Sequence, residues 1–187
     1  MLRTNLSFLS FAESQFEKQS HPVDIVLKSF SKGDFLLRQG GMSSKVFIIK
    51  SGITKCFFSE ENDKDYILEF LSDGEIVGEI EVIRNTKCLC SVEAITCVQA
   101  YSISVSFFKH LLEKDLYFNR LLLDELSERV SNTSSRASAQ QLYTIEYRVR
   151  KILDLQSRQN IVVSKEDMAA YLGITIRSLN RALRDLK

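Results

Sequence analysis

The residues with the clearest chemistry stand at the C-terminal end of the 187-residue chain. At helical spacing, Arg177, Asn180, Arg181, Arg184 and Lys187 gather on one side of a helix, and Leu179, Ala182, Leu183 and Leu186 on the other. Arginine forks onto guanine, asparagine pairs with adenine, and the hydroxyls of Thr175 and Ser178 can reach bases or phosphates. A charged helix face is by default a solvated one. This one holds four cations and meets no acid until Asp185 at its edge. The segment before it sharpens the reading. Ser164-Lys165-Glu166-Asp167 fits a capping box that starts a helix. Met168, Ala169, Tyr171 and Leu172 supply packing, Gly173 suits a left-handed stop, Ile174 plugs the turn and Thr175 caps the next helix. Two helices joined by a tight glycine turn, the second with an Arg/Asn face, are what reading a DNA major groove requires.

The other reactive side chains are sparse. Of the four cysteines, Cys56, Cys88, Cys90 and Cys97, none forms a C-x-x-C pair. Cys88 and Cys90 are two apart, which on a strand puts them on one face. Buried structural cysteine is the default for them, with a redox thiol pair or a thiolate–metal sensor as the alternative. His21 and His110 are far apart in sequence. No nucleophile–base–acid arrangement, phosphate-binding loop or metal motif occurs, so neither an enzyme nor a metal site is expected.

These side chains need elements to position them. Six of the seven glycines fall between Gly33 and Gly78, punctuating short apolar stretches. The stretches are 35–37, 45–49, 53–58 and 66–71, followed by 91–95 and 98–103. Several alternate apolar and polar residues, the mark of a half-buried strand, and their spacing predicts a sandwich or barrel over about 26–105. Beyond Ser104 glycine vanishes until Gly173, and Leu111, Leu112, Leu116, Phe118, Leu121, Leu122, Leu126 and Val130 recur at helical spacing. So long an apolar stripe calls for a partner; a second copy of the same helix is economical, and packing on its own domain is the alternative. The hydroxyl-rich stretch 131–138 reads either as a linker or as a polar length of helix. A further helix is expected over 143–157. The divisions are 1–105, a β-roll with a helical lead-in; 106–140, a long dimerising helix; and 141–187, the helix-turn-helix. The class is α+β.

Charge follows the same division. Residues 141–187 carry nine Lys/Arg against five Asp/Glu, whereas residues 1–140 carry sixteen against nineteen. A basic C-terminal segment fits nucleic acid, and chance surface variation fits as well. No apolar run approaches the ~20 residues of a membrane span, and the N-terminus lacks a signal-peptide pattern. A cytoplasmic location without membrane contact is expected.

These features together resemble the CRP/FNR family of bacterial transcription regulators over about residues 26–187. The likeness rests on Phe30–Gly40, on Val46–Gly52, on Leu71–Ile80 with its glycine spacing, and on Ser164–Leu186. Val77–Ile83 points toward a YeiL-like branch. The resemblance implies a cyclic-nucleotide-binding-type β-roll in which a glycine-led loop meets a phosphate, a glutamate holds the ribose and a downstream arginine neutralises the phosphate. Gly78 and Glu79 match the first two. Cys88 falls near the arginine position, with Lys87 beside it as a hydrated point charge rather than a fork. Cyclic AMP is therefore not the expected effector. Thr133 and Ser134 fall near the ligand-facing part of the long helix. No cysteine precedes Cys56, so an N-terminal iron–sulfur cluster is not expected and no cofactor is assigned.

The resemblance implies double-stranded DNA, RNA polymerase and a second copy of the chain as partners. DNA recognition falls on Thr175, Arg177, Ser178 and Arg181, with Asn180 and Arg184 on the same face; the family often has glutamate where Arg177 stands. The family usually continues into a β-hairpin wing, so a winged helix lacking its C-terminal wing is expected. The competing reading is a sensor or interaction protein of this fold that has lost DNA binding.

Overall fold

The computed structural model describes residues 2–21, 23–62, 64–159 and 161–186. The chain opens with a two-residue strand, β1 (Leu2–Arg3), and a helix, α1 (Leu6–Lys18). Asn5 starts α1 by accepting the Phe8 N–H at 3.0 Å. Spacing of three and four residues puts Phe8, Phe11 and Ala12 on its buried face.

Strands β2 (Ile25–Phe30), β3 (Phe35–Leu37), β4 (Lys45–Ser51), β5 (Thr54–Ser59) and β6 (Asp65–Leu71) follow. After them come β7 (Ile76–Val77), a short helix α2 (Glu79–Arg84), β8 (Ser91–Ala94) and β9 (Val98–Ser104). The strands make two sheets, ordered β1-β6-β5-β8-β3 and β2-β9-β4-β7. β1 joins β6 in parallel, Leu2 opposite Phe70; the other pairings are antiparallel. The two-sheet β domain expected from strand spacing is therefore present, in the β-roll form that the resemblance implies. The sequence reading missed β1, β7 and α2, which are too short to carry a period, and also the six-residue β2, whose Lys28-Ser29 interrupts its apolar run.

Gly74 shows why one glycine is needed: its φ is +82°, and a Cβ there would lie 1.7 Å from the Asn5 carbonyl oxygen. The N-terminal lead-in crosses the roll at that point, where Asn5 donates its backbone N–H to the Asp73 carbonyl at 2.8 Å.

The helical stretch after the roll breaks earlier than the serines suggested. α3 (Val105–Lys114) and α4 (Leu116–Leu142) meet at Asp115, whose carboxylate caps α4 through the Phe118 N–H at 2.9 Å. The hydroxyl-rich stretch is helical throughout. Its hydroxyls can bond within the helix: Ser131 Oγ donates to the Ser127 carbonyl at 3.0 Å. Phe118 on α4 meets Phe8 and Phe11 of α1 and Phe108 of α3 at centroid distances of 5.8, 5.3 and 5.6 Å, which packs α4 against both helices.

Three helices complete the chain: α5 (Ile145–Gln159), α6 (Lys165–Leu172) and α7 (Ile176–Asp185). Their core is Val149, Ile152, Met168, Ala169, Leu172, Leu179 and Ala182. This unit rests on the roll through α6, where Tyr171 packs on Phe70 at 5.8 Å and Lys55 binds Asp167 at 3.0 Å. Among the described residues, no helix is long and apolar enough to cross a membrane.

Candidate effector cleft and nucleic-acid interface

Two regions draw the functional side chains together. The first lies between α2, β5, β6 and α4. Gly78, at φ +88°, turns the chain from β7 into α2, and Glu79 follows at 1% exposure. The cleft in front of them has a volume of about 180 Å³; its lining includes Cys56, Glu69, Cys90, Arg129 and Thr133.

A cation does face Glu79, and it comes from α4. Arg129 Nη1 lies 2.6 Å from Glu79 Oε1, and its Nη2 donates to the Ile76 carbonyl at 2.6 Å and to Glu75 at 3.2 Å. Its Nε reaches Glu125, one helical turn back, at 2.8 Å. Arg3, delivered by the parallel pairing of β1 with β6, binds Glu125 at 2.5 Å and Glu75 at 3.3 Å. Asn5 Nδ2 completes the shell on Glu125 at 2.8 Å.

Burial penalises the charged form of every group in this cluster. Burial pushes Glu75 up to about 7 against the pull of Arg129, and Glu125 nearby adds to the rise. Burial likewise raises Glu79 and Glu69, opposed chiefly by Arg129 and Arg3 respectively. On Glu125 burial is outweighed by Arg129, the Asn5 hydrogen bond and Arg3, and its carboxyl is lowered. Burial works against the charge of Arg129 too, yet the carboxylates of Glu79, Glu75 and Glu125 hold it above its ordinary value. Glu75 Oε1 has no hydrogen-bond partner among the described residues.

The other residues expected at this site are scattered. Lys87 is exposed and does not line the cleft. Cys88 is buried with Leu36, Leu37 and Val92, so the position of the expected arginine belongs to the core. Cys88 and Cys90 do not share an environment: Cys90 is half-buried in the cleft, with its sulfur 2.8 Å from that of Cys56. The segment carrying them precedes β8 and is not strand, so the two-residue period does not govern it. Thr133 reaches the cleft lining from an exposed part of α4; Ser134 is exposed beside it. Sequence reasoning missed Arg3, Cys56, Glu75, Glu125 and Arg129. Only the i,i+4 pair Glu125–Arg129 left a local signal.

The second region is α7. Ser164 Oγ caps α6 by accepting the Asp167 N–H at 3.0 Å, while the Asp167 carboxylate binds Lys55. Gly173, at φ +65°, ends α6, and the Ile174 N–H returns to the Ala169 carbonyl at 3.0 Å. Thr175 Oγ1 accepts the Ser178 N–H at 3.1 Å and starts α7. Leu179 and Ala182 are buried, Leu183 and Leu186 half-buried, and Arg177, Arg181 and Arg184 exposed with Asn180 half-buried beside them. Lys187 lies outside the described residues. Among the described residues, no group of three His, Cys, Asp or Glu is placed to hold a metal.

Residues 27–115 match the family model of the Cyclic nucleotide-binding domain. That segment is similar to a domain of that class, and the fold of the chain is shared with solved regulators of the CRP/FNR family. The c-di-GMP-responsive global regulator CLP of Xanthomonas campestris superposes with a TM-score of 0.81 at 18% identity, covering 95% of this chain and 91% of that one. A CRP/FNR-family regulator of Thermus thermophilus gives a TM-score of 0.74 at 16% identity, over 86% and 85% of the two chains. In sequence, the regulatory protein YeiL of Escherichia coli is 24% identical over 158 residues, 84% of this chain and 72% of that protein. The mouse hyperpolarization-activated cyclic nucleotide-gated channel 2 is 31% identical over 85 residues, 46% of this chain. The match spans 9% of that channel's length.

Proposed function

We propose that this protein is a homodimeric, sequence-specific DNA-binding transcription regulator that acts in the cytoplasm without enzymatic activity. One observation carries the reading: α7 buries Leu179 and Ala182 while exposing Arg177, Arg181 and Arg184 on a helix that follows a glycine turn. That geometry suits a major groove, with Arg177 and Arg181 one turn apart on the outward face.

Dimerisation is supported by α4. Leu116, Leu123 and Val130 are spaced by seven residues and are 86%, 65% and 67% exposed. An exposed apolar stripe at seven-residue spacing supplies one of the two rows from which a two-helix seam is built. The dimer would read a near-palindrome with half-sites about one helical turn apart. Recruitment or exclusion of RNA polymerase is the regulatory output that the resemblance to the CRP/FNR family implies.

The reading that cyclic AMP is not the effector draws support from the cleft. Its volume of about 180 Å³ is below the roughly 300 Å³ at which small-molecule pockets begin, and the Glu79 carboxylate already holds Arg129. The sensor takes another effector or none.

The test is selection of bound sequences from a random DNA pool, with the unsubstituted chain and the Arg177→Ala/Arg181→Ala variant. A two-fold-symmetric site enriched by the first and lost with the second supports the regulator. Equal behaviour of the two chains rejects α7 as the reading element.

A further inference from the structure

Two thiols meet in the effector cleft. β5 and β8 run antiparallel with Cys56 opposite Val92. Cys90 lies two residues before Val92, just ahead of β8. Opposite Cys56 and Phe57 the register skips Leu68 of β6, since Cys56 pairs with Glu69 and Phe57 with Ile67, a bulge in the strand beside the cleft. The two sulfurs end 2.8 Å apart. Both cysteines are free and half-buried, and both line the cleft of about 180 Å³. A disulfide needs its sulfurs at about 2.05 Å, so closing the pair takes a movement of less than ~1 Å.

We propose that Cys56 and Cys90 are a redox-active dithiol that closes to an intramolecular disulfide within the cleft, with hydrogen peroxide as oxidant. The chemistry balances in two steps. One sulfur attacks the peroxide, the O–O bond breaks, and a sulfenic acid and one water form. The second sulfur then attacks the sulfenic sulfur, the S–S bond forms, the S–O bond breaks, and a second water leaves. Both thiol hydrogens end in water, and the two electrons of the dithiol reduce the peroxide. The bond stitches β5 to the segment before β8 across the cleft wall. Cys88, packed among Leu36 and Leu37, and exposed Cys97 take no part.

This site does not depend on DNA binding, and its test does not use DNA. The full chain is reduced, treated with hydrogen peroxide, and its thiols are counted before a non-reducing peptide map. The count is expected to fall from the four cysteines of the sequence to half that number, with one cross-linked peptide joining Cys56 to Cys90. Cys56→Ser and Cys90→Ser each abolish the cross-link, and Cys88→Ser leaves it unchanged. If a serine variant does not fold, the map of the unsubstituted chain decides alone. A thiol count that does not fall, a cross-link through Cys88 or Cys97, or bonds formed only between chains would overturn the proposal.

Discussion

Arg129 on the long helix α4 and Glu79 on the glycine-led turn of the β-roll meet at 2.6 Å. Arg129 also holds Glu75 and Glu125, so one cation serves three carboxylates that are at most 1% exposed. Removing one partner of a buried ion cluster leaves charges without compensation. Arg129→Met is therefore expected to cost about 3–5 kcal/mol, read as a lower urea midpoint. Adding Glu79→Gln should return part of the loss. A single-variant cost under ~1 kcal/mol, the level of a surface pair, would remove the cluster as a structural tie between sensor and helix.

The same cluster sets a pH dependence. Glu75 rises from 4.5 to about 7 in the folded chain because burial disfavours its charge. Between these values the folded state holds the proton more tightly than the unfolded state. Its contribution to stability is therefore fully present below about pH 4.5 and is lost as pH rises toward 7. The raised Glu69 and Glu79 act in the same direction, and the lowered Glu125 acts oppositely at more acid pH. Thermal melts between pH 5 and 8 should show Tm falling with pH in the native chain and a flatter profile in Glu75→Gln. Parallel profiles would contradict the assignment.

On α7, arginines that read bases and arginines that hold phosphates leave different signatures. Arg177→Ala or Arg181→Ala is expected to weaken binding to the selected site by about 1–3 kcal/mol and to relax preference at one base pair. Arg184→Ala should weaken all sequences alike and reduce the salt slope by about 1. Titrations against the selected and scrambled duplexes at several salt concentrations separate the two. Uniform losses from all three variants would mean that α7 contacts only the backbone.

The stripe on α4 is tested by charge. Leu123→Glu and Val130→Glu introduce repulsion at the proposed seam and touch no buried position of the chain. Sedimentation velocity should show the dimer replaced by monomer, with the far-ultraviolet circular dichroism unchanged. A persistent dimer would move the interface elsewhere.

Local signals made most of the DNA-facing unit legible. Ser164, Gly173 and Thr175 act within a few residues of themselves, as a cap, a left-handed stop and a second cap, so their spacing is enough to place α6 and α7. Most of the longer strands were readable for the same reason: short apolar runs such as Val46–Ile49 in β4, and the glycine turns that bound them, are properties of neighbouring residues. The break at Asp115 was less visible, because aspartate as a cap competes with an apolar period that runs through it.

The cleft was decided elsewhere. Glu79 was legible by its place after Gly78, but its partner Arg129 lies 50 residues away on a helix whose charges look like any solvated face. Arg3 reaches Glu125 across 122 residues, and only the parallel joining of β1 to β6 brings them together. Cys90 was singled out with Cys88 by proximity in the chain, whereas the fold sets it against Cys56, 34 residues earlier. Sequence by itself determined the elements, their caps and the face each helix could offer, because those depend on short-range periodicity. The tertiary structure alone decided which charges share a buried site and which thiols touch, because a low-dielectric cluster exists only once distant segments have excluded water from between them.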